Sequence, residues 1–81
     1  MAYTLHRLAA GSYDLAHDDA IIGSVVREVS PSGNVKGWHV ELLDDVPTVL
    51  RPHPFTRSEH RFDTLEAALA WLGDAAVDER D

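Results

Sequence analysis

The sequence predicts an α+β domain: an antiparallel meander of three or four strands with one carboxy-terminal helix packed on one face. Three observations lead there. Short apolar runs rich in β-branched and aromatic residues fill positions 3–29 and recur at 38–42, separated by turn-forming residues. An apolar stripe with helical spacing occurs at Leu65, Ala68, Leu69 and Leu72. The 81 residues contain no cysteine, so one small domain must be stabilised by apolar packing without disulfides or thiolate metal sites.

The elements follow in chain order. Tyr3 to Val29 reads as strands broken at Gly11-Ser12 and at His17-Asp18-Asp19. Tyr13, Leu15 and His17 share a face of the strand that ends at Asp18. Ile21, Val25 and Val29 share a face of the next, Ala20 to Val29. The acidic residues between them indicate a hairpin. Ser30-Pro31-Ser32-Gly33-Asn34 is a loop, because proline cannot donate to a ladder and Gly33 and Asn34 tolerate positive φ. Trp38, Val40 and Leu42 then alternate with His39 and Glu41, which places the tryptophan face on the core and His39 and Glu41 toward solvent.

Thr48 to Leu50 is expected as a short edge strand bracketed by Pro47, Pro52 and Pro54. Arg51 to His60 then forms a loop. At its end Asp63, with Glu66 three residues later, forms a capping-box pattern that opens the helix, and Gly73 offers the stop. The domain therefore spans 1–73, and the acidic tail 74–81 is expected to fray.

Charge is unevenly distributed. Fourteen Asp and Glu oppose seven Lys and Arg, a net charge of −7. Arg51, Arg57 and Arg61 against Glu59 make one basic island of net +2, leaving four basic and thirteen acidic residues elsewhere. Such a surface repels phosphate backbones and favours a protein partner with a basic groove. Met1 to Ala10 include His6 and Arg7 rather than a continuous apolar run, the pattern expected of a cytoplasmic protein rather than of a signal peptide or membrane span.

A meander brings Asp18, Asp19, Asp44 and Asp45 to one edge, and these four are the predicted partner-binding residues. If the chain returns through Thr48 to Leu50, the basic loop lies at the opposite end and the molecule is bipolar. That loop is the second candidate patch: Arg51, His53, Phe55, Arg57, His60 and Arg61 interleave cations with an aromatic, as in phosphate or single-strand contacts. The alternative is that its arginines pair with nearby carboxylates and brace the loop.

Catalytic and metal chemistry find little footing. His53 and His60 share a loop but lack further converging ligands, so neither a metal nor a cofactor is predicted. The serines have no nucleophile-elbow context, and His39 with Glu41 lacks a third member. The carboxylate pairs sit on turns, where solvation keeps them ionised. No enzyme is expected.

Two resemblances arise. Strands followed by a helix opening at Phe62-Asp63-Thr64 resemble the nucleic-acid-binding sheet-plus-helix domains at the front of phage integrases, which implies a small nucleic-acid-binding domain using loop 51–61. The close from Arg61-Phe62-Asp63-Thr64-Leu65-Glu66 through Trp71-Leu72 resembles that of some small phage-borne anti-CRISPR proteins. This second resemblance implies a non-enzymatic inhibitor that occupies a basic nucleic-acid channel of a CRISPR effector complex and blocks target DNA.

Overall fold

A computed structural model describes residues 3–18, 20–43 and 53–78. Six strands form one mixed sheet, and a single short helix lies against it. The strands are β1 (Tyr3–Ala9), β2 (Ser12–His17), β3 (Ala20–Val29), β4 (Val35–Leu42), β5 (Glu59–Phe62) and β6 (Ala76–Asp78). The helix α1 spans Leu65–Trp71. In space the order is β5-β4-β3-β2-β1-β6, antiparallel throughout except that β6 runs parallel to β1.

The expected three- or four-stranded α+β meander is thereby corrected to a strand-dominated, six-stranded mixed sheet. Two elements account for the difference. Glu59–Phe62, expected as loop and helix approach, pairs with β4 in the register Trp38↔Phe62 to Glu41↔Glu59. Ala76–Asp78, expected to fray, pairs with Thr4 to His6. The chain leaves β5 at one edge, passes through α1 and reaches β6 at the other edge. The proposed edge strand at Thr48–Leu50 lies outside the described residues.

One face of the sheet holds the core. Leu5, Leu15, Val25 and Val40 are fully buried, joined by Tyr3, Tyr13 and Leu42. From outside the sheet come Phe55, Ala68 and Leu72, with Leu65, Leu69 and Trp71 packed at the margin. Each large side chain taken from water contributes on the order of 1.5 to 3 kcal/mol. The helix begins one residue later than the capping-box pattern places it. Thr64 is the N-cap, its Oγ1 accepting from the Ala67 amide at 3.1 Å. Gly73 ends α1 with φ of +81°, as its position predicts.

Two register shifts alter the expected faces of β3. Leu15 pairs with Gly23 but Ala16 with Ile21, and a second shift separates Glu28 from Val29. A bulge turns the side chains beyond it to the other face. Hence Val25 is in the core while Ile21 and Val29, expected beside it, are exposed.

Asp18 and the described part of the basic loop also share an end of the sheet. β4 finishes opposite the start of β3, where Leu43 donates to the Ile22 carbonyl. The chain then returns at Ser58, whose carbonyl accepts from the Leu42 amide at 2.8 Å. Tyr3, the register partner of His17, donates its hydroxyl to the His53 carbonyl at 2.8 Å. The loop carrying His53 to Ser58 therefore sits at the end where β2 turns at Asp18, and the bipolar arrangement is overturned. Among the described residues, it is β5 that pairs with β4 beyond this loop.

Candidate binding face

The face opposite the core is built from the residues that alternate with it. His6, Asp14, Ser24, Glu41, Glu59 and Asp78 are linked by register across all six strands: Glu59↔Glu41↔Ser24↔Asp14↔His6↔Asp78. Four carboxylates thus form a row perpendicular to the strands. At neighbouring-strand spacings of about 4.8 Å the row spans roughly 24 Å. Val26 and Ile21 flank it on β3 and are 40% and 46% exposed. Among the described residues, none of the apolar groups packed on the core covers this face.

Beside the row lies an ion-pair cluster on β3, β4 and β5. His39 has Nε2 at 2.6 Å from Glu28 Oε1 and Nδ1 at 3.4 Å from Glu59 Oε2. Arg61 Nε is 3.3 Å from Glu28 Oε1, and Lys36 Nζ is 4.0 Å from Glu28 Oε2. The Glu28 carboxyl is held below its ordinary 4.5, chiefly by its hydrogen bond with His39 and further by Arg61. On the β1 side, His6 Nδ1 lies 3.6 Å from Asp78 Oδ2. Asp14 and Glu41 have no side-chain partner among the described residues. A shallow depression of about 390 Å³ opens between β3, β4 and β5, lined by Ser24, Val26, Arg27, Glu28, His39, Glu41 and Glu59.

The residues singled out from sequence fall in several places. Asp18 is exposed in the β2–β3 turn, with φ of 51° and Oδ2 4.0 Å from His17 Nε2. Asp19, Asp44, Asp45 and Arg51 lie outside the described residues. Phe55 is 5% exposed and packs edge-on to Trp71 with centroids 5.0 Å apart. His60 lies tilted against Trp71 with ring centroids 4.5 Å apart, and its Nε2 accepts from the Thr56 and Arg57 amides at 3.3 Å. Arg57 and His53 are exposed at the surface of the same loop. Arg61 instead belongs to the open face, where it reaches Glu28 and, at 3.3 Å, the Lys36 carbonyl. The five described residues of the second candidate patch are thus not one surface.

Sequence reasoning placed His39 and Glu41 on the solvent side correctly but treated them alone. It did not connect them to Glu28, Glu59 and Asp14, because those partners are set by register between strands. The alternation of Asp14 with Tyr13 and Leu15 was the available signal for one of them. No protein-family model, curated protein or solved structure matches the chain.

Proposed function

We propose that the chain is a non-enzymatic protein-binding module that meets a partner of opposite charge through the open face of its sheet. The observation that carries this reading is the row of Glu59, Glu41, Asp14 and Asp78 across six strands, on a face the described residues leave open. A negative row across one face of the sheet presents a focused field to a basic groove, and exposed Val26 and Ile21 supply apolar contact beside it. The net charge of −7 adds long-range steering, so association is fast at low salt and slows as salt rises.

Charge reversal tests the face directly. The variant Asp14→Lys with Glu41→Lys, checked for folding by circular dichroism, is expected to lose binding to the basic partner. The resemblance at Arg61–Leu72 makes the nucleic-acid channel of a CRISPR effector complex the first partner to try, with displacement of target DNA as the readout. Unchanged affinity in the folded double variant defeats the reading. A low-salt titration with single-stranded and duplex DNA is expected to show no retention. Retention lost on replacing Arg57 and Arg61 would favour a nucleic-acid binder instead.

A further inference from the structure

The half of the open face over β3, β4 and β5 carries a more specific feature. Glu41 and Glu59 stand directly opposite each other on neighbouring antiparallel strands, both exposed. Like charges in that position destabilise a sheet, and a cation from the same chain would relieve them. Yet the nearby cations are directed elsewhere: Arg61 and Lys36 both reach Glu28, and the Arg27 side chain lies along Gly11. Glu59 has only the His39 ring beside it, and Glu41 has no side-chain partner among the described residues. The two carboxylates border the 390 Å³ depression, whose apolar lining is Val26 on β3. Three carboxylates and one arginine, Arg27, line it, so it is negative overall.

Resting on the docking reading above, we infer that this depression receives an arginine side chain of the partner. A guanidinium is planar and offers parallel N–H donors to two facing carboxylates, while its stem lies along apolar surface. Glu41 and Glu59 supply the acceptors, Val26 supports the methylenes, and His39 holds Glu59 from behind. Lysine brings the same charge but is more strongly hydrated and lacks the planar fork of parallel donors that fits carboxylates bidentately. The partner segment is therefore cationic and arginine-bearing, and it docks on the β3–β5 half of the face rather than at the turn bearing Asp18.

The test is a ¹⁵N-correlated NMR titration of the whole chain with N-acetylarginine amide at low salt, with N-acetylcitrulline amide as the uncharged isostere. Arginine amide is expected to give saturable shifts at Ser24, Val26, Glu41 and Glu59, and citrulline amide none. The folded Glu41→Gln/Glu59→Gln variant should bind at least about tenfold more weakly, as expected when charge-assisted bonds are lost. Asp14→Asn, outside the depression, should change the affinity less than about twofold. Equal shifts with citrulline, equal shifts with lysine amide, or arginine shifts that survive the double variant overturn the inference. Partner binding lost in Asp14→Lys/Glu41→Lys while arginine amide leaves the depression unshifted overturns the arginine site alone and leaves the docking face standing.

Discussion

Gly23 is the position where the fold is least tolerant of an added atom. It sits at the β3 bulge, buried, between Leu15 on β2 and Leu42 on β4. A Cβ there would overlap the Glu41 carbonyl oxygen and lie 3.1 Å from its carbon and 3.2 Å from the Leu42 Cα. All three atoms are backbone, so relief requires moving β4 away from β3 rather than rotating a side chain. Overpacking of this kind costs about 1 to 3 kcal/mol, and a ladder group left unpaired adds about 1 to 3 kcal/mol. Gly23→Ala should therefore destabilise by about 3 kcal/mol or more, a large part of the roughly 5 to 15 kcal/mol of a small domain. Gly37→Ala meets the Phe62 carbonyl oxygen at 2.8 Å, but β5 is a four-residue edge strand with room to shift. Its cost should be about 1 to 2 kcal/mol. Gly33→Ala touches nothing within 4 Å and bears only the strain of φ +88°, about 1 kcal/mol. Urea unfolding read by tryptophan fluorescence gives the three midpoints. With a slope of about 1 kcal/mol/M, Gly23→Ala should lower the midpoint by about 3 M or leave no folded baseline. A fall under about 0.5 M, or one no larger than that of Gly33→Ala, would refute the close approach of β3 and β4.

Other perturbations follow from the same geometry. Phe55→Ala should cost about 3 to 5 kcal/mol, because the ring fills the core between Tyr3 and Trp71; a near-neutral urea midpoint would return Phe55 to the surface. Thr64→Ala should cost about 1 kcal/mol and Asp63→Ala much less, a contrast that thermal melts resolve and that reverses if Asp63 is the cap. Glu41→Gln should stabilise by about 0.2 to 1 kcal/mol by removing the cross-strand repulsion with Glu59, and a lowered melting temperature would contradict it. The depressed Glu28 carboxyl contributes stability that is present above pH 4.5 and lost as pH falls through its folded value, so Glu28→Gln should flatten the acid limb of a stability profile. Burial, with a smaller effect from Asp18, raises the Tyr3 phenol above 10.0, so its contribution is full below pH 10 and lost as pH rises through the folded value; Tyr3→Phe should remove that alkaline decline.

Locally encoded features were legible in the sequence. The limits of the strand Ala20–Val29 agree with its flanking turn residues, and the alternation from Trp38 to Leu42 assigned both faces of β4. The stop at Gly73 was equally plain. What was missed depends on pairing at a distance. Glu-His-Arg-Phe has no apolar alternation of its own and becomes a strand because β4 offers it an edge. Ala-Val-Asp is too short to signal anything and is held by β1, some seventy residues earlier in the chain. The bulge before Gly23 moved Ile21 off the core, and a glycine inside an apolar run was the one local sign of it. The candidate face was half visible for the same reason. Alternation shows which side His39 and Glu41 occupy, whereas the row they join exists only once six registers are set.

The pairing of β6 with β1 has a consequence for handling and for turnover of the molecule. Three residues shield one side of the amino-terminal strand, and Asp74, with φ of 61°, lies just ahead of them in an exposed bend. A protease nick there would release the shield and open the Thr4–His6 edge of β1, whose amides and carbonyls would be ready to template a foreign strand. Preparations clipped at that bend should therefore form higher-order species on storage while intact material does not.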